Sequence, residues 1–466
     1  MSADPELAAD ESQVQLTGRI VRVGDDDYPQ ASAGWNLLFT HTPTAVVFAQ
    51  NSHDVVNAVA WARQNHVDFR VRSGRHSLEG WSNLDDGLVI DVSELKSATI
   101  DEASRTAVVG AGLNQLEAVT ALGKAGFAVP TGTEGTVGLV GATLGGGFGL
   151  LTRAFGMASD NLLAVEIVVA RGEGGAEAIV VDETTNSELL WALRGAGNGS
   201  FGVVTSLTYR INPLSHITYL TATWSGLRDV ESVFDAWQKS APFVDDRLTS
   251  QLEIHRDEIM LVAVLVSGSE AEATQLLEPI LSVGTPVVSV TSAGWAETYA
   301  GFQIPTADEP ANWRFRSQFI TGLYPAEAVA TIARFMSTAP SPDCNYFTNA
   351  FGGRVTTSEP VGGSVFAHRD ALFYAEPGAG WGVRGGMPAA DDPLTAPSLA
   401  WVAEFTQALE PYVHGAYVNV PNADAAEWQR DYWGAGVERL RSIKAKYDLD
   451  NLFSFEQSVP AAHDQA

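Results

Sequence analysis

The chain of 466 residues is 45% hydrophobic, long enough to bury a large core in two or more domains. Its 56 acidic against 28 basic residues give a formal charge of -28, which argues against nucleic acid or an anionic membrane surface as a partner. One cysteine, Cys344, excludes an intramolecular disulfide and a cysteine-based metal cluster, and no apolar run of about 18 residues offers a membrane span.

Residues 1–13 read as a loose polar tail without the basic and apolar regions of a secretory signal, so the expected compartment is the cytoplasm. Residues 45–49 read as a buried strand. Ser52 follows as the cap of a helix with Val55, Val59 and Ala62 on one face, and a second strand begins at Phe69. This βα unit delivers the turn RSGRHS, residues 72–77. Gly74, between Ser73 and Arg75, lets successive N–H groups turn inward into an anion site, and Arg72 and Arg75 place positive charge beside it. His76, just before Ser77, is held by its backbone where its ring reaches a bound cofactor; a plain glycine turn with a satisfied histidine fits the same residues. Further strands are expected at 87–92 and 106–109, and a helix over 114–125 closed by Gly126.

The segment 129–170 has glycines at 132, 135, 138, 141, 145, 146, 147 and 149, spaced by Val, Leu, Ala and Phe. Glycines with apolar spacers imply buried backbone packed against a ligand, or else a glycine-rich helix on a sheet. Residues 189–211 repeat the scheme as an apolar helix, a glycine turn and a strand. From about 214 the composition shifts to alternating segments expected as antiparallel strands, with amphipathic helices at 230–237, 326–336 and near 398–409. The last segment resembles the first region again, with a strand at 416–420 and then a helix with Val437, Leu440, Ile443 and Tyr447 on one face. Arg439, Arg441, Lys444 and Lys446 read as its solvated side.

Four separated motifs, RSGRHS with His76, VGLVGATLGGGFG with the following SDN, WALRGAGNGSFGVVT, and AYVNV with RLRSIKAKYDLDNLFSFEQSVP, together resemble the berberine-bridge-enzyme-like oxidases of the vanillyl-alcohol-oxidase class. The resemblance implies an α+β chain: a PCMH-type split FAD-binding domain at 14–213, returning at 415–466, and a substrate domain at 214–414 whose antiparallel sheet is covered by helices. It implies FAD bound covalently through His76 to the flavin 8α-methyl carbon. It further implies a cofactor site built from Arg72, Ser73, Gly74, Arg75, His76, Ser77, Thr133, Val137, Gly138, Gly141, Gly145, Gly146, Asn161, Gly202, Val204 and Asn451, with Tyr447 and Phe453 closing it.

Departures from the family pattern matter as much. Glu134 stands where many relatives carry a second, cysteinyl link in a GTCP loop, so one covalent bond is expected. Ala142 replaces a frequent histidine, and Val137, where relatives line the oxygen approach, leaves room for dioxygen. The Y-x-N-Y motif, whose second tyrosine is often the base, reads Tyr417, Val418, Asn419, Val420 here. A substitute base is then sought among Tyr417, Tyr374, His368, Asp370 and Glu134. If 365–381 is one strand, His368, Asp370, Leu372 and Tyr374 share a face, which either looks at the flavin or is ordinary core. Trp313, Arg314, Arg316 and Gln318 suit either a substrate channel or structural packing. The implied reaction is hydride transfer from an alcohol or hemiacetal carbon of a sugar or natural product to flavin N5, with dioxygen returning hydrogen peroxide. Amine oxidation, polyketide tailoring, a dehydrogenase with another acceptor and a flavin-holding protein without turnover stay open. The expected partners are a small-molecule substrate and dioxygen, and the expected state is a monomer or homodimer.

Overall fold

Asn51, and not the expected Ser52, caps the helix that follows the strand Ala45–Phe48: its side chain accepts the Asp54 N–H, so Ser52 is already the first residue of the helix Ser52–Asn65. The computed structural model describes residues 14–306, 309–386 and 392–461, and the tail expected at 1–13 lies outside the described residues. The helix packs on a four-stranded sheet in the order Arg19–Arg22, Ala45–Phe48, Leu88–Asp91, Phe69–Arg72. The last three strands run parallel and are largely apolar, as strands covered on both faces must be. A second sheet, antiparallel throughout, orders Ala98–Asp101, Thr106–Gly110, Val203–Arg210, Leu162–Arg171 and Gly175–Asp182. The helix Gln115–Lys124 begins in a capping box, with Asn114 accepting from Glu117 N–H and the Glu117 carboxylate accepting from Asn114 N–H.

A third sheet is antiparallel and orders Val287–Ala293, Ile217–Ser225, Glu258–Val266, Leu248–His255, Asn345–Ala350, Phe373–Trp381 and Asn312–Phe315, with Gln318–Ile320 also on Phe373–Trp381. Alternation sorts its side chains. Leu252, Ile254, Tyr346, Phe373 and Ala375 join one core with residues of the helices Val230–Ser240, Ala326–Ser337 and Thr395–Leu409. Gln251, Glu253, Phe347, Tyr374 and Glu376 point to the other face. A separate core draws on residues from Ala45 to Ile211 and again on Ala416 to Val459, with Val365 as a visitor.

Two expected strands are shorter or absent. Residues 416–420 form a tight turn, closed by Val420 N–H to Tyr417 O at 3.0 Å, because the side chains of Tyr417 and Asn419 bind other loops here. The strand expected over 365–381 begins only at Phe373; before it the chain crosses between the two cores. In the helix Val437–Tyr447, Lys444 is fully buried, in contrast to the solvated face expected there. Its ammonium donates to Ser200 O and Phe453 O at 2.7 Å each and to the Asp448 carboxylate at 2.6 Å. Arg439 lies over the Trp191 ring at 3.9 Å. Among the described residues no helix is long and apolar enough to cross a membrane.

Candidate active site

The strand Phe69–Arg72 runs into a turn in which Arg75 has a φ of 63°, a left-handed conformation uncommon without glycine. Trp35 holds it there, donating its N–H to Arg75 O at 3.0 Å and stacking on His76 with centroids 5.0 Å apart. The same turn crosses the glycine-rich segment at Gly74 and Gly138. A Cβ on Gly74 would lie 2.2 Å from Gly138 N, so only two bare backbones can pass this closely.

These loops bound a cavity of about 520 Å³ that runs between the first two sheets and the open face of the third. Arg72, Ser73, Gly74, Arg75, His76, Ser77, Thr133, Glu134, Val137, Gly138, Gly141, Gly202, Val204, Tyr374 and Tyr417 all line it. The remaining expected residues do not, and each has a physical reason. Gly145 packs under Asn419 and Gly146 under Met157 and Phe366. The Asn161 amide donates to Phe155 O and Met157 O at 3.0 and 2.9 Å. Asn451 forms a left-handed turn after the last helix, leaving Phe453 to reach the cavity, while Tyr447 bonds Asn186 and Glu188. His368 stacks on Phe319 at 4.1 Å away from the cavity, and burial pushes its imidazole down to about 4. Asp370 is exposed on the preceding turn. These two fall away as base candidates because residues before Phe373 are not in the strand that faces the cavity. Arg314 and Arg316 pair with the buried Glu79, Trp313 stacks on Phe315, and Gln318 is buried with its amide atoms unpartnered; none of the four lines this cavity.

Arg72 carries less free charge than its place in the turn implies. Its Nε donates to the buried Asp91 carboxylate at 2.7 Å and one Nη to Ala31 O at 2.6 Å, leaving only Nη1 without a partner. The loop at 132–135 is gripped by two glutamines that sequence reading misses. Gln115 accepts from Gly132 N–H and donates to Glu134 O; Gln303 accepts from Gly135 N–H and donates to Thr133 O. Gln115, at the start of one helix, and Gln303, just past the end of another, carry no motif, and only the folded contact reveals them.

Tyr374 and Glu376 form the polar centre of the sheet-side wall. The Tyr374 hydroxyl donates to the Glu376 carboxylate, and burial, with Glu253 nearby, raises the Glu376 pKa to about 7 despite that bond. Burial also raises the hydroxyls of Tyr374 and Tyr417 far above neutrality, so both are intact phenols. Tyr417 accepts from Gly147 N–H at 2.9 Å and from Asn419 Nδ2 at 2.7 Å, which leaves its own proton to give. Sequence reading misses Glu376, although the alternation that selects Tyr374 reaches it two residues later. The cross-strand register aligns it with Phe347 and Glu253 in one row. At the other end burial, with Arg75 and Arg384, pushes the half-buried His76 down to about 3, so its imidazole is neutral.

The residues present fit a flavin dinucleotide. Two crossing glycines bare backbone to the cavity, Val137, Val140, Leu144 and Val204 give it apolar walls, and lining residues leave buried polar atoms unpartnered: Arg70 Nε, Arg72 Nη1, Asn198 Oδ1 and Asn345 Oδ1.

Known proteins agree with that fit. Residues 43–174 match the family model described as FAD binding domain, and residues 416–460 that described as berberine and berberine like. The FAD-linked oxidoreductase YgaK of Bacillus subtilis (strain 168) is 38% identical over 451 residues, covering 96% of this chain and 98% of its own. Among solved structures, the BBE-like 1 protein of Physcomitrella patens superposes with a TM-score of 0.87 at 25% identity over 96% of this chain and 98% of that one. A chitooligosaccharide oxidase superposes at 0.84 with 22% identity, over 95% and 97%, a likeness of fold.

Proposed function

The chain belongs to the berberine-bridge-enzyme-like family of FAD-linked oxidoreductases, and on that premise we propose that it is an oxidase acting on an alcohol or hemiacetal carbon of a sugar or natural product. The observation that carries the proposal is Glu376, a half-buried carboxyl in the wall of the cavity, hydrogen-bonded by Tyr374 and poised at about 7. When bound, FAD supplies the hydride acceptor and passes the electrons to dioxygen, which leaves as hydrogen peroxide.

A hydroxyl must lose its proton as its carbon loses hydride, and a base matched to neutral pH does this best. Glu376 meets that need; Tyr374, fixed on it, orients the carboxylate and can pass the proton along. Tyr417, an intact phenol with both acceptor positions filled, donates a hydrogen bond to a substrate oxygen and is not the base. Phe148, ringed by Tyr374, Tyr417 and Phe351 at 4.8 to 5.1 Å, keeps water from the reacting carbon.

Arg72, Ser73, Gly74, Arg75 and Ser77 would hold the cofactor's charged end, with Thr133, Val137, Gly138, Gly141, Gly202 and Val204 along its length. His76 would carry one covalent bond to the 8α-methyl carbon, the neutral imidazole being the nucleophilic form. Glu134 leaves no thiol for a second link, and Cys344 is buried in the other core. That single buried thiol fits a cytoplasmic enzyme.

Glu253 and Glu376 make the sheet-side wall acidic, and no arginine, lysine or histidine from that sheet lines the cavity. This favours, as a second reading, the carbon beside the nitrogen of a cationic amine. Peroxide release in air from a panel of oligosaccharides, secondary alcohols and cyclic amines separates the readings. Dye reduction without peroxide would make the protein a dehydrogenase; no reduction of the flavin by any member would leave the proposal without support.

A further inference from the structure

Resting on the reading of His76 as the attachment residue, we propose that Glu134 and Thr136 form a relay that presents His76 for covalent attachment of FAD and takes up the proton its ring releases. Three contacts place the relay. The Thr136 hydroxyl donates to Glu134 Oε1 at 2.9 Å, Thr136 N–H donates to the same oxygen at 3.2 Å, and Thr136 Oγ1 lies 2.9 Å from His76 Nε2.

A hydroxyl has one proton, and an ionised carboxylate only accepts. With that proton given to Glu134, Thr136 Oγ1 faces His76 as an acceptor, which places the imidazole hydrogen on Nε2. The lone pair is then on Nδ1. Trp35, stacked at 23° to the ring, fixes its plane. The carboxylate is itself anchored, since Gln115 and Gln303 hold the backbone on either side of it.

The chemistry balances through this chain. The Nδ1 lone pair forms the N–C bond while one C–H bond of the 8α-methyl group breaks, and the two electrons released go to the flavin and from it to dioxygen. As Nδ1 is alkylated the ring becomes cationic, and Nε2 hands its proton to Thr136 as the hydroxyl proton moves to Glu134. The methyl proton and the proton released through Glu134 complete hydrogen peroxide. Glu134 thus acts through Thr136 and is a positioning residue.

Full-length wild type, Glu134→Gln, Thr136→Val, Thr136→Ser and His76→Ala proteins, incubated with FAD in air, test this. Total bound flavin is measured in the native protein and protein-bound flavin after acid precipitation, and the linked peptide is mapped by mass spectrometry. Thr136→Val and Glu134→Gln are expected to bind FAD but to attach it roughly 10²-fold more slowly, while Thr136→Ser restores the rate. Attachment at the wild-type rate in Glu134→Gln and Thr136→Val, or a serine variant as slow as the valine one, overturns the relay. Wild type with no acid-stable flavin, or a link that survives His76→Ala, overturns the underlying reading instead.

Discussion

Gly74 and Gly138 pass so closely that a Cβ on either would press into the other's backbone, to within 2.2 Å and 2.7 Å of the amide nitrogens. Neither has a positive φ, so an added methyl is excluded by space and not by torsion. Gly74→Ala must part the two loops. It is expected to cost about 1–3 kcal/mol of stability and to lower FAD content, read from thermal unfolding and from flavin absorbance per chain.

Glu376→Gln keeps the shape of the wall and removes the proposed base. Flavin reduction by substrate is expected to slow by roughly 10²- to 10⁴-fold with FAD content unchanged. In the wild type the rate should rise with pH through about 7, where Glu376 ionises, and this limb should vanish in the variant. Stability runs the other way. A carboxyl raised above its ordinary value favours the folded state most below the usual glutamate range, and that contribution is lost as pH rises through about 7.

Tyr417→Phe leaves Gly147 N–H without its acceptor and should destabilise the protein by about 1–3 kcal/mol. Because the phenol stays protonated, the limb near pH 7 should survive in this variant. Loss of that limb, measured by stopped-flow reduction across pH, would move the role of base to Tyr417.

Lys444→Met strands the buried Asp448 carboxylate and frees two carbonyls, Ser200 O and Phe453 O, that tie the last segment to the wall of the cavity. A loss of about 3–5 kcal/mol is expected from denaturant unfolding. Burial lowers the lysine pKa and the partner carboxylate opposes that, so the pair acts as a unit.

Much of the backbone plan is legible in the sequence because the signals are local. Period-two alternation finds Ile217–Ser225 and Glu258–Val266, and the helix expected over 114–125 stands as Gln115–Lys124. Where side-chain bonds to distant loops outweigh local preference, the reading fails. The stretch 416–420 has apolar residues suited to a strand, yet Asn419 donates to Ala142 O at 2.8 Å and Tyr417 reaches Gly147, so it turns. Lys444 looks solvated on a helical wheel, but its ammonium is enclosed by Ser200 O from a distant loop together with Asp448 and Phe453 O just beyond its own helix.

The sequence alone determined the family, because four separated motifs and their order are properties of the chain that need no folded contact to be read. Only the tertiary structure decided which carboxyls meet the cavity. Alternation would put Asp370 and Glu376 on one face, but the strand begins only at Phe373, so Glu376 stands in the cavity wall beside a phenol and another carboxylate while Asp370 faces solvent, and that surrounding field raises the proton affinity of Glu376.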